Sequence, residues 1–359
     1  MRAFFQRMCG LFVAGFLIWL LAGCGQAPPD FRSMDKTDVH VHLNTDKTDF
    51  VDAAAACGFR LLTINVDVAE YPPLPVQREW AAGFRKRFPD RVAFATAFAM
   101  KGFGEADWLE KSLSYLDESF ALGAAAVKVW KNIGMVEKDS DGRFIMVDDP
   151  RLKPIFDSLE RKSVPVVAHL AEPRNCWLPL EQMTVRNDRN YFQRHPEYHM
   201  FLHPEYPSQE AILTARDNML EAHPGLTFIG CHLGSLEWDV DTLASWLDRF
   251  PKAAVDMAAR VPPLQHQSVQ ERDKVRNFFI RYQDRLLYAT DQSADGTDDP
   301  ARMKERLEKK WRTDWAYLAT DTLMTAPEVE GPFMGLKLPR SVLEKVYSKN
   351  ARKWYRIFQ

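Results

Sequence analysis

Residues 37 to 44 read TDVHVHLN and place His40 and His42 within a short run of β-forming residues. Side chains alternate between the two faces of a strand, so we expect Asp38, His40 and His42 on one face. Val39 and Val41 then lie on the opposite face. Two imidazoles on a buried face cost desolvation free energy unless a ligand binds them. The pair therefore indicates either half of a metal site or a surface strand with solvated histidines.

Similar apolar runs recur along the chain. Between them, apolar residues recur at helical spacing, as Trp80, Phe84 and Phe88 do. Alternating strands and helices predict a (β/α)8 TIM barrel over residues 37–359, with a doubly wound open sheet as the alternative. Most of the runs are almost continuously apolar, which is typical of parallel strands buried on both faces. The eight runs are residues 38–43, 60–68, 91–98, 124–130, 164–170, 226–233, 253–259 and 285–291.

Composition limits the classes of partner. The 359 residues include 47 Lys and Arg against 49 Asp and Glu, a formal net charge of -2. This balance gives no reason to expect a nucleic-acid partner. Neither a glycine-rich dinucleotide motif nor a P-loop occurs, so nucleotide binding has no local support.

The first 23 residues have the pattern of an export signal. Arg2 and Arg7 precede an apolar run that is short for a membrane-spanning helix. The following LAGC, residues 21–24, resembles the lipobox of bacterial lipoproteins. That resemblance implies cleavage before Cys24, acylation of its thiol and a membrane anchor in the bacterial cell envelope, with residues 24–36 as a tether. An uncleaved signal anchor or a simple secretory peptide is the alternative.

Polar residues stand where the predicted strands end. Ligands of a metal site in a barrel converge from the carboxyl ends of several strands. A single histidine there is most often structural, but four imidazoles and a carboxylate at equivalent ends are hard to obtain by chance. The residues are His40 and His42 on the first strand, Lys128 on the fourth, His169 on the fifth, His232 on the sixth and Asp291 on the eighth.

This set resembles the amidohydrolase superfamily of metal-dependent hydrolases, and in particular its amidohydrolase-related group, which also contains decarboxylases. The segment LPRSVLEKVYSKNARKWY, residues 338–355, is similar to the closing helix of that group, and the resemblance covers roughly residues 35–356. It implies one divalent ion, zinc or else manganese. The implied ligands are His40, His42, His169 and Asp291.

The resemblance also implies further roles. Asp291 would accept the proton of the attacking water, and His232 would orient or activate that water. Lys128, if carboxylated, would bridge a second metal ion; an uncarboxylated substrate-binding lysine and a snorkelling lysine are the alternatives.

Two long segments follow strand ends, residues 172–207 and 292–336. Arg174 and Trp177 open the first and are candidates to hold an anionic, partly apolar small molecule such as a carboxylate, with packing within the loop as the alternative. Arg260 is a second candidate. We interpret the remaining histidines of the first segment as part of an ordered surface loop rather than a second site; they are His195, His199 and His203.

Three functions are compatible with these patterns. The first is a hydrolase that cleaves an amide, ester or lactone. The second is a metal-dependent decarboxylase on the same scaffold. The third is a lipoprotein that binds a ligand without catalysis, which the full set of site residues disfavours because binding alone requires no positioned base.

Overall fold

The computed structural model describes residues 30–359. The predicted signal peptide, Cys24 and the first part of the predicted tether lie outside these residues. The last part of the tether prediction is wrong: Phe31 and Met34 are buried in the core, and the first strand begins at Lys36. The packed domain therefore starts several residues before position 37.

The predicted barrel strands are all present. They form a nine-stranded sheet in the order β8-β7-β6-β5-β4-β3-β2-β1-β9, in which every neighbouring pair is parallel. The strands are β1 (Lys36–Leu43), β2 (Phe59–Ile64), β3 (Val92–Ala97), β4 (Ala126–Val129), β5 (Val166–Ala168), β6 (Phe228–Gly230), β7 (Ala253–Asp256), β8 (Leu286–Leu287) and β9 (Gln292–Ala294).

The two ends of this order meet along β1. Residues 288–291 connect β8 directly to β9, and β9 pairs with β1. Within this connection, Val39 N–H donates to the Tyr288 carbonyl at 3.1 Å and Asp291 N–H donates to the His40 carbonyl at 2.9 Å. The sheet therefore curls into an α/β TIM barrel, and Asp291 lies beside the two histidines of β1.

Helices alternate with the strands and cover the outside of the barrel. Two of them, α4 and α8, are single turns with non-helical backbone inside. The bounds are α1 (Asp49–Ala56), α2 (Leu74–Arg87), α3 (Trp108–Ala121), α4 (Asn132–Met135), α5 (Lys153–Lys162), α6 (Arg186–Arg194), α7 (Gln209–Ala222), α8 (Cys231–Gly234), α9 (Val240–Arg249), α10 (Val261–Arg281), α11 (Pro300–Ala319), α12 (Arg340–Glu344) and α13 (Asn350–Tyr355).

Smaller elements complete the chain. Two short antiparallel strands pair outside the barrel, β10 (Leu323–Met324) and β11 (Phe333–Met334). Four 3-10 turns lie in the long segment after β5, at Arg174–Trp177, Leu180–Gln182, Pro196–Tyr198 and Met200–Leu202. Among residues 30–359, no helix is long and apolar enough to span a membrane.

Strand β1 contains an irregularity that changes which side chains face the barrel interior. Its register with β2 shifts between Asp38 and Val41. Val39 packs in the interior cluster, whereas Val41 packs in the cluster between sheet and helices. The expectation that Asp38 shares a face with the two histidines is therefore wrong, because a bulge interrupts the alternation.

Candidate metal centre

The strand ends bring the predicted site residues together at the mouth of the barrel. Nε2 of His40 lies 3.4 Å from Oδ1 of Asp291, and Nε2 of His42 lies 3.3 Å from the same oxygen. The ring of His232 is centred 5.1 Å from that of His40. The donor atoms of His40, His232 and Asp291 all lie within 4.8 Å of one another. His232 is therefore as close to the centre as the residues that the resemblance assigns as ligands.

Three of the imidazoles are fixed by a hydrogen bond at Nδ1, the ring nitrogen farther from the centre. In each, Nδ1 is paired with an oxygen that accepts hydrogen bonds, so Nδ1 carries the proton and Nε2 keeps its lone pair. Fixing the second ring nitrogen in this way is characteristic of histidines that bind metals. The pairs are His40 with Asp256 Oδ2 at 2.9 Å, His42 with the Ile64 carbonyl at 2.9 Å and His232 with the Ala258 carbonyl at 2.8 Å.

His169 adds a fourth nitrogen donor. Its ring is centred 4.1 Å from the ring of His232, and its side chain is buried. Nε2 of His169 is buried without a hydrogen-bond partner among the described residues. A buried polar atom without a partner costs free energy, so this nitrogen fits a ligand that the protein binds. The residues present therefore fit a divalent metal ion with nitrogen and oxygen ligands.

The protonation states also suit a metal. Burial lowers the pKa of His40 and of His169, and it lowers the pKa of His232 to about 3, so these imidazoles are neutral at pH 7. Burial opposes ionisation of Asp291, but the neighbouring imidazoles outweigh it and hold the pKa of this carboxyl well below its usual range. Neutral histidine and ionised aspartate are the forms that bind metal ions.

The backbone of Asp291 is held in an unusual conformation. Its φ of 65° lies in the left-handed region, which is uncommon for a residue other than glycine. The preceding Thr290 is clamped by buried Asp38, which accepts from Thr290 N–H at 3.0 Å and from its hydroxyl at 2.6 Å. Trp311 Nε1–H donates to the same carboxylate at 3.1 Å. Asp38 thus fixes the turn that carries Asp291 instead of joining the metal face.

Asp256 is a site residue that the sequence analysis did not single out. It ends β7, is fully buried and accepts hydrogen bonds from His40 Nδ1, from His232 N–H at 2.8 Å and from Ala258 N–H at 3.1 Å. Burial alone would raise its pKa, but the interaction with His40 and the hydrogen bonds that the carboxylate accepts keep the pKa below the usual value. The available signal was an acid inside the otherwise apolar run AAVDMAA.

Lys128 also reaches the centre. It is buried on β4, and its Nζ donates to Sγ of Cys231 at 3.0 Å. Lys128, His40 and His42 line one cavity of about 220 Å³. Lys128 therefore lies at the same cavity as the candidate metal ligands. Its carboxylation and a bridging role between two metal ions stay predictions.

A larger cavity adjoins this one. Its volume is about 650 Å³, and the two cavities share four lining residues, which are Lys131, His169, His232 and Asp291. Its other walls include Tyr191, Phe192 and Arg260. A volume of this size suits a small-molecule ligand.

The structure does not bring Arg174 and Trp177, the predicted substrate-binding residues, to the metal centre. Both line a separate cavity of about 670 Å³ that contains none of the histidines or Asp291. The guanidinium of Arg174 lies 5.2 Å from the ring centre of Trp238, and Trp177 Nε1–H donates to the Pro207 carbonyl at 3.3 Å. Both residues lie in the 3-10 turn that follows Pro173, and this turn places them at the separate cavity. Arg260, the second candidate, lines the cavity that also contains His169, His232 and Asp291.

The three loop histidines are engaged locally, which agrees with the interpretation of an ordered loop. His199 Nε2 pairs with the Leu178 carbonyl at 2.8 Å, and His203 Nε2 pairs with the Pro196 carbonyl at 2.9 Å. His195 Nδ1 lies 3.4 Å from a carboxylate oxygen of Glu197. In residues 30–359, none of the three belongs to a group that could hold a metal ion.

Barrel and site together define an α/β-barrel protein with a histidine–carboxylate centre at the strand ends. The sequence profile of the amidohydrolase family Amidohydro_2 matches residues 37–357, and the chain belongs to this family. Family and site identify it as an enzyme of the amidohydrolase superfamily. A search of curated proteins found no match.

Solved structures share the fold at low sequence identity. The uncharacterized TIM-barrel protein Bb4693 from Bordetella bronchiseptica is 15% identical, with 90% of this chain and 99% of that chain covered and a TM-score of 0.50. A 2,6-dihydroxybenzoate decarboxylase complexed with 2,6-dihydroxybenzoate is also 15% identical, with 90% and 100% covered and a TM-score of 0.50. At this identity the likeness shows the fold.

Proposed function

We propose that the protein is a metal-dependent hydrolase that cleaves an amide, ester or lactone bond in a small molecule. The main support for this proposal is the set of imidazoles whose Nδ1 atoms are hydrogen-bonded to protein oxygens and whose Nε2 atoms converge near Asp291. One ion is favoured, zinc or else manganese. His40, His42, His169 and Asp291 would hold it, and His232 lies within reach of the same position.

The chain's own residues supply the proton transfers. A bound divalent ion would lower the pKa of water from about 15.7 towards about 7. Asp291 is ionised, so its carboxylate accepts the proton of the attacking water and passes it to the leaving group. His232 carries its proton on Nδ1, so Nε2 acts as an acceptor. This tautomer lets His232 orient the water by accepting a hydrogen bond from it.

Decarboxylation is the second candidate. Two observations favour it: Arg260 places a positive charge in the cavity, and a solved structure with the same fold is a decarboxylase. The two reactions differ in their atoms. Hydrolysis in ¹⁸O-labelled water puts the label into the acid product, whereas decarboxylation releases carbon dioxide and consumes no water.

Asp291→Asn tests the proposed mechanism. The amide can still bind a metal through oxygen, but it has no useful basicity. We expect the variant to fold, to bind metal supplied in excess and to remain at least about a hundredfold slower, the usual loss when a general base is removed. The assay is turnover at saturating metal on amide, ester and lactone substrates. Recovery to within a few-fold of wild type would leave Asp291 as a ligand only and move the base to His232.

For location, we propose an exported lipoprotein that is anchored in the cell envelope through Cys24. The support is the LAGC motif after a basic and then apolar start.

A further inference from the structure

Arg260 is a buried cation without a counter-ion in contact. Only 8% of its surface is exposed, and Nε has no hydrogen-bond partner among the described residues. Its guanidinium hydrogen bond within residues 30–359 runs from Nη1 to the Ala259 carbonyl at 3.2 Å, and it forms no ion pair there. A guanidinium has five N–H donors, so most of its capacity is unused. An unpaired buried charge is strongly unfavourable unless something binds it.

The fold directs this side chain into the reaction cavity. Arg260 follows β7 and immediately precedes α10, and Ala259 before it has a φ of 53°, in the left-handed region. Such strained backbone persists where surrounding structure enforces it, often at ligand sites. The same cavity is lined by His169, His232 and Asp291. The guanidinium therefore lies in the space that a substrate of the metal centre would occupy.

The nearest acids do not satisfy Arg260. Asp188 Oδ2 accepts from Asn175 Nδ2 at 2.8 Å, and Glu237 Oε1 accepts from Arg174 N–H at 2.8 Å. Burial raises the pKa of Asp188 and raises that of Glu237 to about 7, against the opposing charge of Arg260. Neither carboxyl forms an ion pair with Arg260 among residues 30–359, although Oε2 of Glu237 is itself buried without a hydrogen-bond partner there.

The other residues that line this cavity indicate the chemical character of the rest of the ligand. Tyr191, Phe192 and Pro173 contribute aromatic and apolar surface to the cavity, whose lining also includes charged side chains such as Arg186, Arg194 and Glu172. A guanidinium binds a carboxylate through two parallel N–H···O bonds. Resting on the proposed function, we propose that Arg260 binds a carboxylate of the substrate, which is a small carboxylic acid with a partly apolar body and its reacting bond beside His232 and Asp291.

Benzoate and benzamide are suitable probes because they share their shape and differ in charge. Calorimetric titration of metal-loaded protein should show that benzoate binds more tightly than benzamide. Arg260→Gln should weaken benzoate binding by about 10- to 100-fold, the range for a lost hydrogen bond to a charged group, and leave benzamide unchanged. Arg260→Lys keeps the charge but loses the planar fork, so it should weaken benzoate by several-fold.

Arg174→Gln is the matched control, since that guanidinium lines the other large cavity. It should leave benzoate binding within about twofold of wild type. If Arg260→Gln fails to fold, Arg260→Lys and the Arg260 Nε–H signal in ¹⁵N NMR of wild type provide the test. Benzoate, and not benzamide, should shift that signal.

Three results would overturn the proposal. They are unchanged benzoate affinity in the Arg260 variants, equal losses in Arg174→Gln, and benzoate binding that requires the metal but not Arg260, which would place the carboxylate on the metal. Failure of the proposed function looks different. Benzoate binding that depends on Arg260 in a protein without metal or turnover would retain the subsite and reject the hydrolase.

Discussion

Asp256→Asn is the most informative substitution behind the metal centre, because it changes the tautomer of His40 without changing the shape of the site. Oδ1 of Asp256 accepts from the backbone N–H groups of His232 and Ala258, and Oδ2 pairs with His40 Nδ1 at 2.9 Å. Asparagine would keep its oxygen toward the two backbone donors. Its amide nitrogen would then face His40 Nδ1, where two donors cannot pair.

The imidazole can respond by moving its proton to Nε2. That nitrogen lies 3.4 Å from Asp291 Oδ1, so the lone pair intended for the metal would be lost. Removing such an outer partner of a metal-binding histidine typically lowers metal affinity by about 10- to 100-fold. This corresponds to roughly 1.4 to 2.8 kcal/mol of binding free energy.

The assay is a zinc titration in competition with a chromophoric chelator, on wild type and variant. Asp314→Asn is the matched control: Asp314 is equally buried and accepts from Tyr288 Oη and Lys310 Nζ at 2.8 Å and 2.9 Å, without contact to the histidines. It should bind zinc as wild type does. A folded Asp256→Asn protein with zinc affinity within twofold of wild type would refute the tautomer argument.

Two further predictions concern stability and location. Burial raises the folded-state pKa of Glu237 to about 7 from 4.5, so the wild type loses stability through this group as pH rises from 4.5 to 7. Glu237→Gln should therefore match wild type in melting temperature at pH 4 and exceed it at pH 8. A difference in melting temperature that is the same at both pH values would contradict this prediction. Cys24→Ala should release the protein from the membrane fraction without altering the barrel, and undiminished membrane association would show that residues 1–23 themselves form the anchor.

The barrel and the convergence of the histidines were predictable for a physical reason. Buried parallel strands must be apolar on both faces, so each polar residue at a strand end stood out against its run. Parallel strands also present their carboxyl ends at one edge. The predicted barrel therefore implies that His40, His169 and Asp291 lie close together. These inferences use only local pattern and topology.

The remaining features depend on contacts between distant parts of the chain. Asp256 lies 216 residues from His40, and nothing in the sequence around either residue indicates the pairing. The bulge in β1 arises where Asp38 turns to Thr290 and Trp311, which strict alternation does not anticipate.

The direction of the side chains in the long loop after β5 also could not be predicted from the sequence. Arg174 follows His169 closely in sequence, but the turn after Pro173 carries it to another cavity. Arg260 reaches the site from a different strand. Sequence proximity is a poor guide inside a long loop, because a few turns can reverse the direction of its side chains.

Metal content is the decisive measurement for the proposed centre at His40, His42, His169 and Asp291. Protein prepared with zinc or manganese supplied and then freed of excess should retain about one equivalent by elemental analysis, or two if Lys128 is carboxylated. His40→Ala combined with His42→Ala should abolish this binding, whereas the loop control His195→Ala with His203→Ala should retain it. Wild-type protein that retains no divalent ion, or a His40/His42 double variant that retains as much as wild type, would show that these residues do not form a metal centre.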